Sequence, residues 1–481
     1  MSNANSVYFN LEPAAKLILQ GLCHHIHIGD SQSSDVFLRW TNHFVSYVGK
    51  RLHYYVASSS QAGNQCFSNY LPTGSGNFST TNHTGSSNAY TGLTAANTFF
   101  RPALSQAYSA NLAENTAFGS GIFLCRKCNS GGDPNSPGNT GGQWPDVNVG
   151  LTGFRPWYHN THMRAKLITH RVTAATELTS FKMYMLRQGI NNNNSSAVQT
   201  TSLTGTIVKE TGWTAALTDA ANYVTANDFG GPNDHEVAVR IWADASTNET
   251  SNNLLLLGAV FQRCTSGGVA ISDTNPTTGN LYQYGYDFVG VSGRSAAELA
   301  DSYQPQATWQ EYFTRTVMNP EQQTVAIFCL GHNNASAYDT GSNATTAANK
   351  YRDYINKVKA AHDAAFPTGK FIPVVCVPWY SPTESNAMQT TAKATAFNNA
   401  VANMARTNKW AFVSFFEYFN KQQPFNQLHP ESISEVHEIC RAFRHILDDS
   451  TGYAYSSNPL VFNKKTVWNR IASRTATTTM V

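Results

Sequence analysis

The regular pattern of apolar and polar positions is clearest past residue 320, where short apolar runs alternate with longer segments of helical spacing. Residues 324–330 run almost wholly apolar, the pattern of a strand buried on both faces. Tyr351, Tyr354, Ile355, Val358 and Ala361 fall on one face of a helix, which Pro367 would stop. A strand at 371–377, a helix around 386–407 and a strand at 410–416 follow, and then a last helix carrying Ile433, Val436, Ile439, Phe443 and Ile446, with Pro430 suited to its first turn. Strands alternating with helices predict an α/β fold with a parallel sheet covered on both faces, whose functional loops leave the carboxyl ends of the strands. Near the N-terminus an apolar run ends at Ile26-His27-Ile28 and turns at Gly29. Ser33-Ser34-Asp35 then caps a segment with Val36, Leu38, Phe44, Val45 and Val48 at helical spacing.

The middle of the chain reads differently. Residues 57–154 are rich in Gly, Ser, Asn and Pro and predict long loops or an extended arm. Within 155–272, segments 163–172, 181–187, 236–243 and 254–261 are strand candidates, and Val237, Val239 and Ile241 alternate strictly, which suggests a β-sandwich or jelly roll. The expected organisation is a discontinuous α/β domain over 1–56 and 273–450, the loop-rich 57–154, an inserted β-sandwich at 155–272 and a C-terminal extension at 451–481. No internal repeat is evident.

Composition narrows the partners. The 481 residues suffice for more than one domain, and 41% hydrophobic residues can fill real cores. Charged residues are only 13%, about half the usual share. A net charge of +3 with no basic run excludes an electrostatic footprint for nucleic acid or an anionic membrane. The longest apolar stretch, 254–261, is too short to span a bilayer. The N-terminal Met-Ser-Asn-Ala-Asn-Ser lacks the basic and apolar regions of a secretory signal. Cys23, Cys329 and Cys376 lie in or near core strand candidates and read as buried thiols. Cys125 and Cys128 form a lone C-x-x-C, open to free thiols, a local disulfide or zinc. His24, His25 and His27 form a His-rich tract, but no further ligands for a metal are apparent.

Candidate chemistry begins at Gly29-Asp30-Ser31. A serine on a sharp strand-to-helix turn presents its hydroxyl beside free N–H groups and the positive end of a helix dipole, which favour an oxyanion. Three later segments follow in order: Val291-Ser292-Gly293-Arg294-Ser295, Gly331-His332-Asn333-Asn334 and Asn426-Gln427-Leu428-His429-Pro430. Together the four resemble the sequence blocks of the SGNH, or GDSL-type, hydrolases. The resemblance implies a three-layer, flavodoxin-like SGNH fold and a serine esterase, with Ser31 as nucleophile and His429 as general base. The oxyanion hole would consist of the backbone N–H groups of Ser31 and Gly293 and the Asn333 amide. It implies no metal and no organic cofactor.

Two positions leave the family pattern. Asn334 and Asn426 stand where the family has Asp. Asn334 is tolerable, because Asn333 is the donor. Asn426 matters more, since an amide can orient His429 but brings no charge to stabilise the imidazolium. The expected reaction is removal of O-acetyl groups from a glycan, with the β-rich insert as a glycan-docking module. His332 would either line the pocket mouth or serve as a solvent-facing or structural loop residue. Trp379 and Tyr380 would either offer a platform to a sugar or simply pack. The sparse charge and the large insert suit an extracellular or virion-associated setting, with homo-oligomer or virion assembly. The competing expectation is a non-catalytic adhesin or virion structural protein that keeps the fold.

Overall fold

The computed structural model describes residues 6–30, 40 and 44, the backbone of the strands between 54 and 282 with a few residues beside them, and 285–452 apart from 291–293, 302–304, 317–322, 334–340, 383–387, 426, 427 and 431. The central strands are β1 (Tyr8–Phe9), β2 (Cys23–Gly29), β3 (Tyr54–Val56), β4 (Gly285–Gly290), β5 (Gln323–Cys329), β6 (Phe371–Val377) and β7 (Ala411–Ser414). They stand in the order β1-β7-β6-β5-β2-β4-β3. All neighbours are parallel except the short edge strand β1, which runs antiparallel to β7. Leaving aside the short β1 and β3, this is the strand order of the flavodoxin-like α/β fold, with helices on both faces.

Each face is fixed by alternation along the strands. Ile26 and Ile28 of β2 point into the main apolar cluster, which is closed by α2 (Ala296–Asp301), α3 (Gln306–Thr316), α4 (Gly341–Ala365) and α5 (Thr391–Thr407). On α4 the foreseen stripe of Tyr351, Tyr354, Ile355, Val358 and Ala361 is fully buried. Each large side chain there contributes about 1.5–3 kcal/mol relative to exposure, so the stripe alone can hold the helix on the sheet. On the opposite face His25 and His27 meet Phe44, with Trp40 and Phe443 also against His27. Phe443 belongs to α7 (Ile433–Thr451), which packs with α1 (Glu12–Gln20).

Local chemistry sets the boundaries where they depart from the sequence pattern. The strand expected over 410–416 ends at Ser414, whose side chain accepts from the Glu417 N–H and caps the short helix α6 (Phe415–Tyr418). Thr390 caps α5 and starts it later than the apolar spacing suggests. Ser432 and Glu435 make a reciprocal capping box at the start of α7, so Pro430 lies in the preceding loop and not in the first turn.

Beyond β3 the sheet continues with antiparallel strands Asn253–Cys264, His162–His170 and Leu217–Thr218. Val147–Gly150, Val237–Ala243, Phe181–Arg187 and Ser196–Thr200 form a separate antiparallel sheet. The strands foreseen within 155–272 are therefore shared between two sheets, one of them continuous with the parallel sheet. Lys166 and Arg315 both pair with Glu210, tying strands His162–His170 and Val208–Glu210 to α3. Among the described residues no helix is long and apolar enough to cross a membrane.

Candidate active site

Strand order alone brings three of the four blocks to one place. The chain leaves β2 for β4 on one side and then crosses to β5 on the other, so the carboxyl ends of these strands flank a topological switch point. Gly29 is in register with Gly290 on one neighbour and Cys329 on the other. Asp30 and Leu330 to Asn333 consequently depart from one level of the sheet. Ser31, Gly293, Asn334 and Asn426 lie outside the described residues. Asn333 and His429 are described, and both are partly exposed.

Asn333 is held from two directions. Its Nδ2 donates to the Arg294 carbonyl at 3.3 Å, which joins the second and third blocks. A primary amide has two N–H groups, so one stays available for a ligand oxygen. Arg294 is itself secured by Nη1 donating to Glu298 Oε1 at 2.9 Å, while the Ser295 backbone N–H donates to Glu298 Oε2 at 2.9 Å. On the other side Gly331 adopts φ +146, and a Cβ there would lie 2.5 Å from Phe397 Cε1 on α5. Only glycine fits both the backbone and the space. Gly331→Ala is expected to lower stability by about 1–3 kcal/mol or more and to reduce activity. A denaturant midpoint unchanged from wild type would contradict that.

His332 turns inward and is 1% exposed, so it is neither solvent-facing nor at a pocket mouth. Its Nε2 lies 3.1 Å from the Trp379 carbonyl oxygen. A carbonyl can only accept, so the ring proton sits on Nε2. Burial pushes its pKa down to about 3; the Trp379 carbonyl opposes this and nearby His429 adds to it. His332 is therefore neutral at physiological pH and a weak base, poorly suited to take a proton from a hydroxyl. Trp379 is fully buried, edge-on to His332 at 5.3 Å and to Phe425 at 5.7 Å. It leaves no face for a sugar ring, so packing and not a platform is its role.

Residues 271–432 match the family model described as "GDSL-like Lipase/Acylhydrolase family". This stretch is a GDSL-like lipase/acylhydrolase domain. Gly293, Asn333, Asn426 and His429 fall inside the match, and the first block follows β2, which pairs with β4 and β5, the strands that precede the second and third blocks. No curated protein matches the chain. Among solved structures, one titled as a peptidoglycan O-acetylesterase in action is similar at 10% identity, covering 93% of this chain and 98% of its own, with a TM-score of 0.36. The carbohydrate acetylesterase Est24 from Sinorhizobium meliloti is 14% identical over 35% of this chain and 80% of its own, with a TM-score of 0.26. An acetyl xylan esterase, Est2A, from the rumen bacterium Butyrivibrio proteoclasticus is 9% identical over 64% of this chain and 90% of its own, at 0.27. TM-scores this low add nothing to the family match.

The histidine tract belongs to the core. His24, His25 and His27 are buried, His25 and His27 with ring centroids 5.3 Å apart. His24, on the other face, is close enough to His362 for the two to oppose each other's charge, and His362 Nε2 lies 3.0 Å from Thr324 Oγ1. Among the described residues no group of side chains could hold a metal ion. Cys23, Cys329, Cys376 and Cys440 are buried free thiols. Cys125 ends the strand Ile122–Cys125, and Cys128 lies outside the described residues.

Burial lowers His24 and His27 from 6.5 to about 3, and His25 is lowered as well. The unfolded chain protonates these rings near 6.5 while the folded protein holds them neutral, so the unfolded state binds more protons between 6.5 and about 3. Stability is full above that window and is lost as pH falls through it, at up to about 1.4 kcal/mol per pH unit for a ring such as His27. Thermal midpoints measured from neutral to acid pH should fall steeply, and less steeply in His27→Phe. A midpoint independent of pH across the window would contradict this.

The sequence offered no signal for Phe397 as the wall behind Gly331, or for the Arg294 carbonyl as the acceptor for Asn333. Both contacts join segments far apart in the chain; Phe397 belongs to no motif, and the place of Arg294 in the second block says nothing about what its carbonyl accepts.

Proposed function

We propose that the protein is a serine esterase that removes short acyl groups, O-acetyl above all, from a glycan. His429 takes the Ser31 proton as Ser31 Oγ attacks the ester carbonyl. The oxyanion is held by the N–H groups of Ser31 and Gly293 and by the free Asn333 N–H. Collapse expels the sugar hydroxyl, protonated by His429, and water then releases the acid from Ser31. In this reading 1–56 and 273–450 make the catalytic unit, and 155–272 docks the polymer.

The observation that carries the reading is the Asn333 to Arg294 hydrogen bond at the switch point, because it sets an amide donor beside the block containing Gly293. No long apolar lid segment lies near any block, so a short acyl chain is the natural occupant. Purified protein should hydrolyse p-nitrophenyl acetate with a much higher kcat/KM than the octanoate ester, and should release acetate from an acetylated polysaccharide. A preference for the long chain would overturn the assignment. Asn426 in place of Asp favours a second reading, a glycan-binding protein with little or no turnover. No hydrolysis across a series of acyl esters would support that one.

A further inference from the structure

The loops bearing Asn333 and His429 leave different strands, β5 and β7, and the described residues show what lies between them. His332, next to Asn333 in the chain, donates Nε2–H to the carbonyl of Trp379, in the loop after β6. The rings of His332 and Trp379 meet edge to face at 5.3 Å. The Trp379 indole then meets Phe425 at 5.7 Å and Phe415 at 6.3 Å. Phe425 and Phe415 belong to the segment leading from β7 to His429. Phe425 and Leu428 are both buried, so the loop carrying His429 is pinned before that residue emerges toward solvent.

We propose that His332 and Trp379 are positioning residues that hold the Asn333 donor and the His429 base in one catalytic arrangement. This rests on the esterase reading above. His332 is an unusual choice for mere filling, because a buried imidazole costs desolvation that an apolar side chain would avoid. What it gains is directional. One fixed hydrogen bond sets the ring, and the ring sets the peptide between Gly331 and Asn333. On that peptide Gly331 is already fixed against Phe397, and the Asn333 side chain is bonded to the Arg294 carbonyl. Loss of the His332 bond frees the remaining side of this clamp. The indole carries the same constraint to Phe425, and so to the base.

A positioning role makes specific demands. His332→Ala should lower kcat for p-nitrophenyl acetate by about tenfold to a hundredfold with KM nearly unchanged, because a displacement of about 1 Å suffices for such a loss. His332→Gln, whose side-chain amide can replace the Nε2–H donor, should recover most of that loss. Trp379→Phe should be mild and Trp379→Ala severe, again in kcat. Circular dichroism and thermal midpoints would identify variants that fail to fold, and His332→Gln is the variant that keeps the test informative if His332→Ala does. Equal damage from His332→Gln and His332→Ala, or a change confined to KM, would overturn the proposal.

Failure of the esterase reading would appear separately, as a wild type with no activity or a Ser31→Ala variant with full activity. The coupling is then read without turnover, from the His429 ring signals in nitrogen-15 NMR of the histidines. His332→Ala should shift or broaden those signals, and His332→Gln should leave them close to wild type. His429 signals unchanged in both variants would overturn the proposal whatever the protein's activity.

Discussion

Ser31→Ala is expected to reduce hydrolysis of p-nitrophenyl acetate by roughly four to six orders of magnitude, to the small residue that oxyanion donors and binding sustain alone. The size of the loss follows from the chemistry. Without the Oγ no acyl-enzyme forms, and His429 has no proton to take. Fold and stability should be almost unchanged, because the substitution removes a single hydroxyl from an already small side chain. A variant that keeps most of the wild-type rate would show that another group attacks the ester.

Asn426→Asp should raise kcat, by tenfold or more, if residue 426 stands in the third position of the triad. The reverse change in a serine protease costs about ten-thousandfold, which bounds the gain. A carboxylate beside the His429 ring stabilises the imidazolium that forms as Ser31 attacks. The same charge favours the protonated ring before reaction, so the pKa of His429 rises and the acidic limb of the kcat/KM profile moves to higher pH. The gain should therefore be largest at alkaline pH and shrink as pH falls. A variant slower at every pH would mean that Asn426 already makes a specific contact that the carboxylate disrupts.

How far the molecule was legible in its sequence depended on the range of the interaction involved. Helix α4 and strands β5 and β6 were readable because burial on one or both faces imposes a pattern on neighbouring residues: Tyr351 to Ala361 at helical spacing, and 371–377 as a run. The strand segments of the β-rich region were readable for the same reason. Their partners were not, since period-two alternation says nothing about which sheet a strand joins. Helix α1 carried readable marks, with Pro13 in its first turn and Gly21 at φ 69 closing it. Its buried stripe is small, however, with Ala14 and Ala15 contributing little hydrophobic contrast.

The candidate site shows the same division. The order of the four blocks was visible because each is a short contiguous run that can be matched to a known family's block without knowing the fold. The inward turn of His332, the burial of Trp379 and the wall at Phe397 were not visible, because each depends on residues brought together only by the sheet. A histidine beside a candidate oxyanion donor and a tryptophan at a strand end both suggest ligand contact when read locally. Tertiary packing reassigns both to support.

The most direct test of the account is covalent. The protein would be treated with an aryl fluorophosphonate, which phosphonylates an activated serine, then digested and mapped by mass spectrometry. A single adduct on Ser31, formed in step with loss of ester hydrolysis and absent from His429→Ala, is the predicted result. Complete inhibition with the adduct on another residue, or ester hydrolysis that continues while Ser31 is fully modified, would contradict the assignment of Ser31 and His429 as nucleophile and base.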